Sequence, residues 1–393
     1  MTSIVIAGGG VGGLTAALAL DKAGFEVTVY EAHPVADEDI GAFLTLASNG
    51  MIALAQLDAA RPVAEVGFPL TALRLTDDTG AEIASRPMGA HDDPLTRYRC
   101  LLRAELCAVL RAEALRRGIR IRHGKRLVAA VEDATGVTAR FGDGGTVRAD
   151  LLIGADGLNS TLRRLIDPAA APRRYAGQRV FYGYAAEAPR SERPGTFEMV
   201  RGSEAAFGYA VSPNGTTYWF ARVTGAELPA EEIAAGTAER WKAELLPLLR
   251  PDATPAADIV VATGDRLMAT NAHDLPAVGP WHTRRMLIIG DAAHAASPAT
   301  GQGASMAMED AVVLAKALRD ADTIDAALEA YEGLRRPRTD ENIAASARMT
   351  GARPVRAGFG GGEEASRQAS RPSPSGGNED LLRLLDWPSR LPL

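Results

Sequence analysis

One feature near the N-terminus constrains this chain more than any other. A short β-branched run, Ser3–Ala7 (SIVIA), passes directly into Gly8, Gly10 and Gly13, spaced G-x-G-x-x-G. A good helix former, Leu14–Ala23 (LTAALALDKA), follows and stops at Gly24. Glu26–Tyr30 (EVTVY) reads as a second strand, and Glu31 stands at its end, 23 residues after Gly8. Glycine at 8 permits the tight turn, at 10 lets a pyrophosphate approach the backbone, and at 13 lets the helix pack on the strand. The helix start offers free N–H groups and the positive end of its dipole to phosphate. A carboxylate at 31 can accept both ribose hydroxyls of an adenosine. Glycines that follow a strand, open a helix and are completed by this acid specify a βαβ start with a parallel sheet and a right-handed crossover.

The rest of the chain divides into two patterns. Arg103–Arg117 places apolar residues at 106, 109, 110 and 114, the spacing of a helix with one buried face, and Gly118 ends it before a strand at Ile119–Ile121. Val137–Phe141 and Thr146–Arg148 flank a GDGG turn and read as a hairpin, followed by a short buried strand at Leu151–Ile153. Arg179–Ala186, Thr196–Arg201, Ala205–Val211 and Thr217–Val223 are strand-like runs with aromatics, separated by Pro, Gly and Asn, which indicates an antiparallel sheet. Met286–Ile289 returns to a buried parallel-type strand. Ala307, Ala311, Leu314, Ala315 and Leu318 then mark one face of a helix, and another helix covers about 323–350. Residues 357–379, rich in Gly, Ser, Pro and charge, read as a flexible segment, and 380–393 as a short C-terminal helix, strongest over Leu381–Trp387.

Several classes are excluded at this stage. The chain has 393 residues, enough for two packed domains. Its net charge of −6 and pI near 5.7 lack the basic footprint of a nucleic-acid binder. No apolar stretch reaches membrane-spanning length, and the N-terminus has no basic n-region before its apolar run, so a cytoplasmic protein is expected. Cys100 and Cys107 are the only cysteines, which rules out a disulfide framework and Cys-rich metal spacing. His33, His91, His123, His273 and His282 show no metal spacing either, and no metal site is expected.

Two further motifs repeat the pattern of a buried strand ending in Gly and a carboxylate. The first is Gly154-Ala155-Asp156-Gly157, continuing to Arg163. The second is Gly290-Asp291-Ala292-Ala293-His294, continuing through Pro298, Gly301, Gln302 and Gly303 into a helix near Ala304. A strand-end aspartate beside a cofactor can hold a ribityl or ribose hydroxyl; Asp156 and Asp291 also suit helix N-caps, and the two roles are compatible. His294, directly after GDAA, is read as structural rather than as a general base.

Together these three motifs, in this order over roughly residues 1–350, resemble the single-component FAD-dependent aromatic hydroxylases, the para-hydroxybenzoate hydroxylase superfamily, in the style of its salicylate and urate hydroxylases. The set is specific to the superfamily and not to a substrate. The resemblance implies an α/β fold: a Rossmann-like FAD-binding domain with a parallel sheet (1–72, 97–174 and 264–356) and an inserted antiparallel-sheet substrate domain (73–96 and 175–263). It implies that Gly8, Gly10, Gly13 and Glu31 bind the ADP end of FAD, that Arg103 contacts the flavin side, and that Asp156 serves FAD and NAD(P)H. It implies that Asp291 holds the ribityl or ribose region, and that Pro298, Gly301, Gln302, Gly303 and Ala304 lie beside the isoalloxazine. Gly41–Asn49 resembles the stretch flanking the flavin as it swings between positions. The implied reaction is reduction of FAD by NADPH or NADH, formation of a C4a-hydroperoxide with O2, and transfer of one oxygen atom to an aromatic or heteroaromatic small molecule, natural-product intermediates included.

No second strand-linked G-x-G-x-x-G occurs, so NAD(P)H is expected to visit a shared cleft. Arg201, Phe207, Tyr209, Tyr218 and Phe220 alternate along neighbouring strands and are the candidate substrate pocket, with Tyr182 and Tyr184 as further aromatics. Ordinary sheet-core packing is the competing reading for all of them. Gln302 is the candidate substrate or flavin contact for catalysis; no base is identified. Two other functions remain open: a flavin-dependent reductase of isoprenoid-like double bonds, and a flavin-holding accessory protein without turnover. Oligomeric state is open as well.

Overall fold

The computed structural model describes residues 2–34, 42–89, 93–186, 188, 193–275, 279–351 and 375–392. The N-terminal strand β1 (Ser3–Ala7) lies inside a five-stranded sheet with β2 (Glu26–Tyr30), β8 (Arg120–Arg122), β12 (Leu151–Gly154) and β18 (Met286–Ile288). The order is β18-β12-β1-β2-β8 and every pair is parallel. Both faces of such a sheet must be covered, which is why its central strands are continuous apolar runs. The meander β9 (Leu127–Asp133), β10 (Gly136–Phe141) and β11 (Thr146–Ala149) forms the expected hairpin plus one strand. It adds Leu127, Val137 and Phe141 to the same core, with Phe141 stacked on Tyr30 at 4.5 Å.

Helix α1 (Val11–Lys22) follows β1 and is buried from Gly13 through Leu20. Helices α2 (Ser48–Gln56) and α3 (Ala60–Val66) follow, and α4 (Arg103–Arg116) buries Leu106, Leu110 and Ala114 as its periodicity predicts. Short α5 (Thr161–Ile166) and α9 (Asp291–His294) cap the two later motif strands. Helix α10 (Gly303–Asp320) was expected to bury one face. Every residue from Ser305 to Leu318 is buried instead, because α1, α2, α11 (Ile324–Gly351) and the C-terminal helix surround it.

The second pattern forms a seven-stranded sheet in the order β17-β13-β16-β15-β14-β5-β6, from β17 (Leu267–Asp274), β13 (Arg174–Ala185), β16 (Thr217–Thr224), β15 (Ala205–Val211), β14 (Thr196–Arg201), β5 (Ala72–Asp77) and β6 (Glu82–Pro87). It is antiparallel except where β14 meets β5. Strand β17 falls in the 264–356 stretch assigned by resemblance to the dinucleotide-binding part, yet it hydrogen-bonds β13 along the sheet edge. Helices α6 (Ala230–Ala234), α7 (Ala238–Leu249) and α8 (Ala256–Val261) belong to the same region; α7 and α8 cover one face around Phe181, Phe207, Trp219 and Trp241. Toward the other face lies a small sheet of β3 (Phe43–Leu46), β7 (Arg99–Leu102) and β4 (Phe68–Pro69).

Of the expected flexible segment, residues 357–374 lie outside the described residues. Its last part, 375–379, instead opens a helix, Ser375–Leu385, so the C-terminal helix begins earlier than expected and ends two residues before Trp387. Polar residues such as Asn378, Glu379 and Asp380 hide a helix start from a composition argument.

Candidate functional site

The site begins where the parallel strands stop. Ala7, Gly154 and Ile288 are in register on neighbouring strands, so the turns at Gly8, Ala155-Asp156 and Gly290-Asp291 leave the sheet side by side. Gly8 has φ +111°, and a Cβ there would sit 2.2 Å from the Ala155 carbonyl oxygen. A Cβ on Gly13 would sit 1.9 Å from the Gly8 carbonyl oxygen. Gly10 differs: its Cβ position has no atom within 4 Å. The first and third glycines therefore close the turn on itself, and the middle one faces open space. No side chain caps α1, and its first turn holds no acid. Glu31 accepts from the Gly9 N–H at 2.6 Å and from the His33 N–H at 2.8 Å, which fixes its carboxylate against the same turn.

Asp156 accepts from the N–H groups of Thr161 (2.7 Å) and Leu162 (3.2 Å) through Oδ2, while Ser160 caps α5 at Arg163. Its other oxygen, Oδ1, is buried with no hydrogen-bond partner. Asp291 is exposed at the start of α9, directly after Gly290 at φ +58°. Gly12 and Gly290 both abut Ala307; a Cβ on either would meet its methyl at 3.4 and 3.2 Å. The starts of α1 and α10 thus flank the Gly290-Asp291 turn. Helix α10, like α1, has no side-chain cap and no acid in its first turn. Before it, Pro298–Thr300 forms a 3₁₀ turn and Gly301 takes φ +65°, where a Cβ would lie 3.1 Å from Thr45 Oγ1. Gln302 is the N-cap residue, followed by Gly303 and the partly buried Ala304.

These residues fit an FAD molecule on their own evidence. An acid for ribose hydroxyls, an open glycine at an uncapped helix start, an orphaned aspartate oxygen and a second uncapped helix start all stand at the turns that leave the parallel sheet or on the helices those turns touch. Arg103 opens α4 with an exposed side chain, and its N–H donates to the Ala42 carbonyl. Its charge reaches Tyr182, whose phenol burial pushes up to about 12. Of the stretch Gly41–Asn49, Gly41 lies outside the described residues. The remainder is stitched to α10: Ala47 N–H donates to Ser305 Oγ at 3.0 Å, and Asn49 Nδ2 donates to Gln302 Oε1 at 3.2 Å.

That second contact belongs to a buried charge cluster that the motifs do not reveal. Asn49 Nδ2 also donates to Glu309 Oε1 at 2.6 Å. Glu309 is paired with Arg335 (2.7 Å) and Arg338 (2.8 Å), and Asp310 with Arg335 (2.8 Å). Asp310 also accepts from His294 Nε2 at 2.5 Å and from the Gly290 N–H at 2.9 Å. Glu309, Asp310 and Arg335 are fully buried. Burial works against both carboxylates, yet Arg335 and their other partners outweigh it and hold both carboxyls below the usual range. His294 is thereby an anchor of the Gly290-Asp291 turn. Among the described residues no His/Cys/Asp/Glu group could hold a metal. His91 lies outside them, and Cys100 and Cys107 are unbonded to each other.

The candidate substrate residues separate onto two faces. Register pairs Phe207 with Ala221 and Tyr209 with Trp219, but Gly208 with Phe220 and Ala210 with Tyr218. Phe207 and Tyr209 therefore point with Trp219 toward α7 and α8; Phe207 stacks on Trp219 at 5.3 Å and is fully buried. Arg201 is exposed at the end of β14. These three belong to the core behind the sheet or to its rim. Tyr218 and Phe220 stand on the opposite face with Tyr182, Tyr184, Phe197 and Phe43. Tyr182, Tyr218 and Phe220 keep partial exposure there, and this aromatic floor packs against Phe43 and Phe68 of the β3-β7-β4 sheet. Alternation along one strand gives parity; only the cross-strand register shows which parity meets which layer.

Comparison with known proteins agrees with this geometry. A family model described as "FAD binding domain" matches residues 1–346. The chain is 31% identical to the "Aurachin C monooxygenase/isomerase" of Stigmatella aurantiaca over 353 residues, covering 88% of each. It is 34% identical to the "3-amino-4-hydroxybenzoate 2-monooxygenase PtnB3" of Streptomyces platensis, covering 86% of this chain and 85% of that one. The solved structure of Klebsiella pneumoniae HpxO complexed with FAD and uric acid is similar with a TM-score of 0.79 and 27% identity, covering 98% of this chain and 96% of that one.

Proposed function

This chain belongs to the FAD-binding-domain family and is an FAD-dependent monooxygenase, and from that premise we propose a substrate, a reductant and a role for each part of the site. The substrate is a planar aromatic or heteroaromatic small molecule lying on the Tyr182, Tyr218 and Phe220 floor. NADPH or NADH is the reductant, and the location is cytoplasmic, in keeping with the absence of any described helix able to cross a membrane. The observation that supports this reading is the register of Ala7, Gly154 and Ile288, which lines up the three motif turns side by side. The relatives support oxygen insertion over the reductase and accessory readings: they are monooxygenases that act on aurachin C and 3-amino-4-hydroxybenzoate, and HpxO is complexed with uric acid.

Bound FAD supplies the redox chemistry, by which a C–H of the ring, O2, NAD(P)H and a proton become C–OH, NAD(P)+ and water. Glu31 holds the adenosine ribose, and the α1 start around Gly10 holds the pyrophosphate. Asp156 and Asp291 take hydroxyls of the linking chain. The α10 start, with Pro298, Gly301, Gln302, Gly303 and Ala304, lies along the ring system, and its N–H groups favour negative charge there. Arg103 contacts the same region from the other side. The Tyr182 phenol, raised to about 12, stays protonated at neutral pH and serves as a donor toward the floor. The aromatic layer excludes water, which protects the oxygen-transferring step. Residues 1–72, 97–174 and 264–356, less the edge strand β17, form the FAD-binding part, and the large sheet forms the substrate part.

Stopped-flow mixing of the flavin-loaded protein with NADPH and a ligand panel, followed by mass spectrometry under ¹⁸O2, tests this reading. One ligand is expected to accelerate flavin reduction and to gain a single labelled oxygen. Peroxide as the only oxygen product with every ligand would move the chain to the accessory or reductase reading, and a protein that retains no FAD would end the site assignment.

A further inference from the structure

The turn placed beside the flavin is fastened at its front by hydroxyls of α11 that no motif contains. Ser297, directly before Pro298–Thr300, is 3% exposed, and Ser346 is fully buried. Ser346 Oγ donates to the Ser297 carbonyl at 2.5 Å. Thr350 Oγ1, one helical turn further on, donates to the Ser346 carbonyl at 2.8 Å. Each hydroxyl has a single hydrogen, so both are already engaged. Ser297 Oγ lies 2.7 Å from Ser346 Oγ and 2.7 Å from Thr350 Oγ1, and its own hydrogen must serve those two contacts. Helix α11 thus grips one serine by its carbonyl and by its side chain. At the other end of the turn, Asn49 holds Gln302 at 3.2 Å. Pro298 and Gly301, between the two anchors, are exposed.

The far side of this hydroxyl cluster is tied to the large sheet. Gln178 Nε2 donates to the Thr350 carbonyl at 3.2 Å. Gln178 stands in an irregular stretch of β13. From Tyr175 to Arg179 that strand advances four positions while β17 advances two, from His273 to Asn271, and Gly177 takes φ +79°. A bulge re-aims the side chain it carries, and this one places Gln178 within reach of the end of α11. Against β16, Gln178 shares its parity with Tyr182 and Tyr184, so it stands on the face of the aromatic floor. The Leu275 N–H, just past β17, donates to the Ala295 carbonyl at 2.9 Å and makes a second tie from the same edge of the sheet.

We propose that Ser346, Thr350 and Gln178 are positioning residues: acting through Ser297, they hold the Pro298–Gly301 turn against the flavin and set how far its ring is shielded from water. A turn with exposed residues at both ends keeps one position only if its anchors do, and a site is as exact as the side chains that support it. Each hydrogen bond in the cluster contributes about 0.5–1.5 kcal/mol toward the held position. Losing one therefore lets the turn spend roughly three- to tenfold more time displaced. The inference rests on the placement of that turn along the ring system proposed above.

The test uses the flavin-loaded full chain and iodide, which quenches flavin fluorescence on collision. Quenching is read on the lifetime of the bound flavin, so that released FAD is not counted. Thr350→Val keeps the side-chain shape, removes the hydroxyl and is expected to raise the quenching constant about threefold or more. Ser346→Ala and Gln178→Leu should move it in the same direction, and Thr350→Ser should stay near native. Should Thr350→Val fail to fold, Ser346→Ala and Gln178→Leu decide. A cluster that only stabilises the fold would lower the melting temperature and leave quenching at the native value, and that result overturns the proposal. So does an unchanged Gln178→Leu, or a Thr350→Ser that quenches like Thr350→Val. Gly303→Ala separates this failure from failure of the ring's placement, because the nearest atom to its added methyl is Asp291 Oδ1 at 3.9 Å. A shifted flavin spectrum in Gly303→Ala with silent α11 variants removes the positioning role and keeps the ring beside the turn. Silence from every variant takes the placement down as well.

Discussion

Gly10 and Gly13 are three residues apart and carry opposite constraints. Gly13 packs its α-carbon against the Gly8 carbonyl, so an added methyl overlaps backbone that cannot move aside. Gly10 has ordinary dihedrals (φ −79°) and nothing near its Cβ position, so a methyl there meets only what binds in the open space. Gly13→Ala is expected to cost about 3 kcal/mol or more of stability. Gly10→Ala should leave the melting temperature of the flavin-free protein within about 1 °C of native while weakening FAD retention roughly tenfold or more. Paired thermal melts and flavin titrations of the two variants check this, and loss of stability in Gly10→Ala would contradict the assignment. The same contrast explains why the N-terminal motif was legible: glycine at each position has one steric reason, and the reasons appear as spacing.

At the scale of elements, the C-terminal helix Ser375–Leu385 is held by a side chain no motif includes. Lys316, buried in the middle of α10, donates to the carbonyls of Arg383, Leu384 and Asp386, capping the helix at its negative end. Arg319 donates to the Trp387 and Ser389 carbonyls, and Leu381, Leu385 and Leu391 are buried in the main core. Deleting residues 375–393 is expected to lower Tm by roughly 5 °C or more, since each buried leucine contributes about 1.5–3 kcal/mol before chain entropy is subtracted. Burial depresses the Lys316 ammonium from 10.5 to about 8. Between those values the unfolded chain keeps a proton the folded chain has released, so the stability owed to this group rises with pH across that window. Melts of native protein and Lys316→Met from pH 7.5 to 10 should therefore diverge in the native protein's favour, and parallel curves would refute the linkage.

Across the whole molecule, the Glu309–Asp310–Arg335–Arg338 cluster fastens α10 and α11 to the Gly290-Asp291 turn and, through Asn49, to the first turn of α2. Arg335→Gln removes the cation shared by the two buried carboxylates, leaving Glu309 to Arg338 and Asn49 and Asp310 to His294 and the Gly290 N–H, and should cost about 3 kcal/mol at pH 7.5. In the native protein their folded pKa values lie below the unfolded ones, so their contribution is present above about pH 4.5 and lost as pH falls further. In the variant that downward shift is weakened, so the deficit relative to native protein is full at pH 7.5 and shrinks by about pH 4, where the native protein has lost the contribution as well. Melts at the two pH values decide it. Sequence alone conveys little of this cluster, because Glu309 and Asp310 read as the solvated side of an amphipathic helix until the packing of α10 on all sides is known. Their cation lies 25 residues on, in a helix whose arginines look alike. Nor does strand alternation tell Phe207 and Tyr209 from Tyr218 and Phe220. The parallel core and the three motif turns, by contrast, are written in contiguous residues, and there the expected elements and the observed ones coincide to within a few positions.

The parallel pairing of β5 with β14 has a consequence during synthesis. Arg74 meets Glu198 across 124 residues of chain. At translation rates of about 5–20 residues per second, the β5–β6 hairpin waits roughly 6–25 s for its partner to be made. Through that interval β5 offers an open edge to any neighbouring nascent chain. The outer strand β6 is exposed along its whole length and carries Glu82, Arg86 and Pro87. It gives the hairpin one side on which no other strand can easily settle while the ribosome completes the rest of the sheet.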